Sequence, residues 1–192
     1  QAYGKAEDCM LSVTFDVDHK VLERGVYLAK VDRADTVYDL TLDIRLRRPY
    51  REERMTETQM HTFEHSYATA IRKVMDGDGT ARVIYFGPMG CATGFYLIFQ
   101  VCARDEQALE KIALSLPEKM DKAVDVLLAM QTVPAANEWQ CGYCYTLGDA
   151  AMAARMSLEL REILQEVRRS GFSHYVRLSG QQLAEIEGGE KQ

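Results

Sequence analysis

Val37-Tyr-Asp-Leu-Thr-Leu-Asp-Ile-Arg-Leu-Arg47 is the stretch that decides the fold class. Apolar and polar residues alternate with period two, so Leu40, Leu42, Ile44 and Leu46 share one face of an extended strand. Arg45 falls on the opposite face. Pro49, which has no N–H to give a ladder, ends the run. Upstream, residues 25–31 and 11–17 read as further extended segments, and residues 1–10 as a loose arm. Downstream, Thr56 or Thr58 can cap a helix over about 59–75, which Asp76-Gly-Asp-Gly79 stops. Residues 82–86 and 94–103 read as strands joined by a glycine-containing turn. Asp105 caps a helix from about Glu106. Pro117 is expected to break it, with a second helical stretch reaching Met130. Residues 132–145 read as loop, 149–169 as a strong helix, and 185–192 as a frayed end. Strands, helix, strands, helices, without regular alternation, imply an α+β fold: an antiparallel sheet packed against helices.

The chain has 192 residues, with no repeat, low-complexity tract or Pro/Gly-rich linker, which suits one domain over 1–192. Its net charge of −6 disfavours nucleic-acid and anionic-membrane partners. No apolar run is long enough to span a bilayer. The start lacks the apolar core of an export signal, so the expected location is the cytoplasm, where thiols stay reduced. Five cysteines, an odd number spread along the chain, do not make a disulfide framework.

His61-Thr-Phe-Glu-His65 carries the strongest chemical signal. Two histidines four apart lie about 40° apart around a helix, so both imidazoles can reach one ion. Glu64 lies about 60° to the other side, near the ion without being a ligand, where a general acid/base belongs. Such a site needs a third ligand from elsewhere, and Glu138 and Cys141 both lie in the loop ahead of the last long helix. Cys141 is the softer donor and suits zinc or iron. Cys141-Gly-Tyr-Cys144 is formally a redox spacing, but its late loop position argues against that use. Cys91 sits on the turn Pro88-Met-Gly-Cys-Ala-Thr-Gly94, where Gly90 and Gly94 permit close backbone approach or positive φ. A thiol presented there suits acid/base or nucleophilic work.

Three segments in order, His61-Thr-Phe-Glu-His65, Pro88-Met-Gly-Cys-Ala-Thr-Gly-Phe-Tyr-Leu97 and Pro134-Ala-Ala-Asn-Glu-Trp-Gln-Cys-Gly142, resemble the S-ribosylhomocysteine lyase (LuxS) family. Thr14-Phe-Asp-Val-Asp-His19 and Leu42-Asp-Ile-Arg45 are weaker matches ahead of them. The resemblance implies a homodimer with two sites at the subunit interface. The implied reaction cleaves S-ribosylhomocysteine to homocysteine and 4,5-dihydroxy-2,3-pentanedione, the autoinducer-2 precursor. It implies one divalent metal per subunit, natively Fe(II) with Zn possible, on His61, His65 and Cys141. It makes Glu64 and Cys91 the acid/base pair and Thr14, His19 and Arg45 the substrate contacts.

The sequence departs from the family's pattern in places. Thr14 stands where serine is usual, and Tyr85 where an acidic residue usually precedes the Pro-Met-Gly-Cys turn. Tyr145-Thr-Leu-Gly148 replaces the usual His-Asp-Leu run. These departures leave two other readings open. One is an altered-substrate or non-catalytic relative. The other is an inverted zinc-motif peptidase with Glu138 as third ligand.

Overall fold

The computed structural model describes residues 15–189. Four strands form one sheet in the order β1-β2-β4-β3, every pairing antiparallel: β1 (Gly25–Ala34), β2 (Val37–Arg45), β3 (Ala81–Pro88) and β4 (Gly94–Cys102). The alternation read in residues 37–47 has its expected result. Leu40, Leu42, Ile44 and Leu46 are buried in the main core with Leu97 and Phe99 of β4. Helices α1 (Glu57–Met75), α2 (Glu106–Leu128) and α3 (Ala150–Ser170) close that core from one side, through Phe63, Tyr67 and Ile71, Leu116 and Met120, and Leu160 and Leu164. The fold is therefore α+β. Among the described residues, no helix is long and apolar enough to cross a membrane.

Three readings need correction. Pro117 does not break α2, which runs unbroken through it. A mid-helix proline forfeits a backbone bond and costs about 3 kcal/mol. Against this, Leu116, Met120, Val124 and Leu127 are all buried, each contributing about 1.5–3 kcal/mol. Residues 11–17 do not form a strand where described: Phe15 and Asp16 are in a turn, and Val17 makes a single bridge to Arg177. Residues 185–189, read as a frayed end, belong to a fourth helix, α4 (Gly180–Gly189). Ser179 caps it: its Oγ accepts from the Gln182 N–H (3.2 Å), and Gln182 Oε1 accepts from the Ser179 N–H (2.8 Å).

Candidate functional site

The site begins at the start of α1. Thr56 Oγ1 accepts from the Gln59 N–H (3.1 Å), and Gln59 Oε1 accepts from the Thr56 N–H (2.8 Å). This capping box fixes where the helix starts. Helical periodicity then sets His61 and His65 on one face, their rings 4.7 Å apart and edge-on at 84°. The segment between α2 and α3 folds back over that face and is tied to α1 three times. His65 Nδ1–H donates to the Pro134 carbonyl (2.8 Å). His61 Nδ1 bonds Thr146 Oγ1 (2.7 Å). The Gly148 N–H donates to Thr62 Oγ1 (2.7 Å). Between these ties Asn137 shapes the loop, its Oδ1 accepting from the Trp139 N–H (3.1 Å) and its carbonyl from the Cys141 N–H (3.0 Å).

The result is a convergence of three donors. Cys141 Sγ lies 3.4 Å from His61 Nε2, and the ligand atoms of His61, His65 and Cys141 all lie within 4.8 Å of one another. A tetrahedral ion with bonds of ~2.0–2.3 Å holds its ligands about 3.5 Å apart, a spacing that Cys141 and His61 already have and that the set as a whole approaches. Both Nδ1 atoms are engaged, which leaves both Nε2 lone pairs for the ion; this is the usual outer support of metal-bound histidine. Two nitrogens and a buried thiol suit zinc or iron better than a hard cation. Glu138 is not in the cluster; its carboxylate accepts from the Tyr145 hydroxyl. Cys144 lies outside it too, in a single 3-10 turn over Cys144–Thr146. Glu64 lines the same cavity of about 480 Å³, with His61, His65, Tyr85, Gln140 and Cys141.

A second constellation lies on the other face of the sheet, beside the β3–β4 turn. Arg45 and Asp43 alternate with Leu42 and Ile44, so they point away from the helices, yet both are fully buried. Arg45 grips Asp43 with two parallel bonds, Nε to Oδ1 (2.7 Å) and Nη2 to Oδ2 (3.0 Å). Its Nη1 donates to Thr93 Oγ1 (2.8 Å) and reaches Cys91 Sγ (3.6 Å); Cys91 and Thr93 are themselves in contact (3.1 Å). Burial works against the guanidinium charge, but the Asp43 carboxylate outweighs it and holds Arg45 firmly protonated. The sulfur of Cys91, on an exposed residue, therefore faces a fixed cation. Neither Cys91 nor Arg45 lines the cavity of the His61, His65 and Cys141 triad.

The turn that presents Cys91 depends on one close approach. A Cβ on Gly94 would stand 2.2 Å from the Ile44 carbonyl oxygen, in the β2–β4 ladder beside Arg45. The left-handed residue of the turn is Ala92 (φ 58°) rather than either glycine. Gly94→Ala is therefore expected to lower stability by about 1–3 kcal/mol, seen as a lower urea midpoint at unchanged slope.

The remaining sequence candidates fall elsewhere. Thr14 lies outside the described residues. His19 donates from Nδ1 to its neighbour's carbonyl, Val17 O (2.8 Å), and lines a separate cavity with Phe15, Tyr50, Gln182 and Ile186, closed on one side by α4. Sequence reasoning missed Asp43 and Thr93, although each stands two residues from a candidate already singled out. It also missed Tyr175, whose hydroxyl donates to Asp43 Oδ2 (2.6 Å) and which nothing in the sequence marks.

Comparison with known proteins agrees with this arrangement. The sequence model of the S-ribosylhomocysteinase (LuxS) family matches residues 13–168. An S-ribosylhomocysteine lyase of Borreliella burgdorferi is 29% identical over 161 residues, 84% of this chain and 96% of the relative. One of Phocaeicola vulgatus is 31% identical over 157 residues, 81% and 91%. One of Desulfotalea psychrophila is 36% identical over 129 residues, 67% and 76%. With the match running through both constellations, the chain belongs to the S-ribosylhomocysteinase (LuxS) family of carbon–sulfur lyases.

Proposed function

We propose that this chain cleaves S-ribosylhomocysteine to homocysteine and 4,5-dihydroxy-2,3-pentanedione. The observation that carries the reading is the convergence of His61, His65 and Cys141 beside Glu64, in a chain that matches the family over both constellations. We take the bound metal to be Fe(II) or Zn. It would be held by the two Nε2 atoms and the Cys141 thiolate, and would supply Lewis acidity toward adjacent substrate oxygens.

The substrate's thioether cannot leave until a carbonyl stands next to the carbon that loses its proton. The opened ribose must therefore move its aldehyde carbonyl two positions along the chain. Each move removes a proton from a hydroxyl-bearing carbon, forms an enediol, and returns a proton to the former carbonyl carbon. No net oxidation occurs. A last proton abstraction expels the homocysteine thiolate by β-elimination, and the enol left behind ketonises. Cys91, beside the Arg45 guanidinium, and Glu64 are suited to these proton transfers, each worth typically 10²–10⁴-fold.

The two constellations lie on opposite sides of the sheet of one chain. On β4, Tyr96 and Ile98 alternate with the buried Phe95, Leu97 and Phe99 and are only partly buried, so the outer face is incompletely covered. This supports a homodimer in which the triad and Glu64 of one subunit meet Cys91 and Arg45 of the other. The decisive assay is thiol release from S-ribosylhomocysteine by anaerobically prepared, Fe(II)-loaded protein, read with a thiol-reactive dye. Release abolished by a chelator and restored by metal is expected. No release from protein holding one metal per chain would overturn the assignment.

A further inference from the structure

Residues 169–189 lie beyond the residues that the family's sequence model matches, yet residues 171–178 are bound along the free edge of β1, where Ser173 bridges Tyr27, and beside residues 16–18. The Ser173 N–H donates to the Val26 carbonyl, the Asp18 N–H to Val176, and the Leu178 N–H to Asp16, each at 2.8 Å. Gly25 admits this approach: a Cβ there would meet Ser173 Oγ at 2.4 Å. At the centre of this strap, Tyr175 stacks flat on Tyr27, with ring centroids 4.4 Å apart and 4° between planes. Its hydroxyl donates to Oδ2 of Asp43, the oxygen that also receives Arg45 Nη2. We propose that Tyr175 is a positioning residue: by holding the Asp43 carboxylate, it keeps the Arg45 fork aimed at the Cys91 sulfur.

The electrostatic sense follows from the shared oxygen. A donor on Oδ2 spreads the negative charge that Arg45 would otherwise neutralise alone, leaving more of the guanidinium field for the sulfur. Without that donor, Asp43 pairs more tightly with Arg45, and less of the guanidinium field reaches the sulfur. Within the chain, the groups facing Cys91 are the Arg45 guanidinium and the Thr93 hydroxyl. Around Arg45 stand Asp43, Tyr27, Tyr96 and Tyr175. Burial, then the neighbouring Asp43 charge, raises the Tyr175 phenol well above its ordinary range, so it remains a donor at every working pH.

Turnover enters this proposal only through the reading above; the test does not need it. Tyr175→Phe keeps the ring stack and removes one hydroxyl. Cys91 alkylation by iodoacetamide, resolved from the other thiols by peptide mass, is followed against pH. The pH of half-maximal rate is expected to rise, with alkylation below it at least about threefold slower than in the unchanged protein. Arg177→Ala, which removes the strap's ion pair with Asp16 and the cation over the Tyr175 ring but keeps the hydroxyl, is expected to leave the profile in place. In active protein, Tyr175→Phe should lower kcat with little change in KM. Coincident Tyr175→Phe and unchanged profiles would overturn the proposal. So would an equal shift in Arg177→Ala, which would trace the effect to loosening of the strap.

Discussion

Cys141→Ser and His65→Ala are each expected to carry well under one metal per chain and to release thiol from S-ribosylhomocysteine more than a hundredfold slower. Losing even a partner that supports a ligand costs about 10–100-fold in metal affinity, and each of these changes removes one of the three proposed ligands outright. Serine at 141 keeps the size of the group but offers a hard, poorly ionised oxygen where a soft thiolate stood. Alanine at 65 removes one of two Nε2 donors and leaves the Pro134 carbonyl without its partner. Two companions separate ligand from bystander. Glu138→Gln should keep its metal, because Glu138 bonds Tyr145 outside the cluster. Thr146→Ala should weaken metal binding by about 10-fold while still allowing full loading at excess metal, since it removes only the outer support of His61. Metal content by elemental analysis and thiol release on the same samples check all four. Full metal in Cys141→Ser would remove Cys141 from the ligand set.

The parts of this site legible from sequence are those set by local periodicity. His61, Glu64 and His65 sit on one helix, whose geometry is fixed by 3.6 residues per turn, so their mutual placement follows from spacing. The face that Arg45 takes follows equally from the two-residue period of β2, while its place in the site rests on the family resemblance. Its partner Asp43 was within reach of the same argument, since residues two apart on a strand share a face. Cys141 and Glu138 could not be separated that way, because the loop that selects Cys141 is shaped by ties to Pro134, Thr146 and Gly148 that no period encodes. Tyr175 lies 132 positions from Asp43, and the contact follows from where the strap runs along the edge of β1. The continuity of α2 through Pro117 has the same origin. A local rule argued for a break, and burial against α1 and α3 decided otherwise.

Cys91→Ala is expected to lower kcat/KM by about 10³-fold or more, about 4 kcal/mol of transition-state stabilisation, while metal content stays at one per chain. The thiol is held 3.6 Å from Arg45 and 3.1 Å from Thr93, and an alanine methyl offers neither proton nor charge. Metal retention follows because the triad is assembled on α1 and the segment before α3, on the far side of the sheet from this turn. That separation makes a second outcome testable with the same variant. If each site draws the triad from one subunit and Cys91 from the other, a heterodimer of Cys91→Ala with His65→Ala contains one site with both defects and one with neither. Such heterodimers, isolated by two affinity tags, should recover turnover at one of their two sites although both parent homodimers are inactive. Inactive heterodimers would mean that each site is built within one chain, and that Cys91 must cross the sheet edge to reach Glu64. Full activity of the Cys91→Ala homodimer would instead leave Glu64 to carry every proton transfer, an outcome the Arg45–Cys91 contact gives no reason to expect.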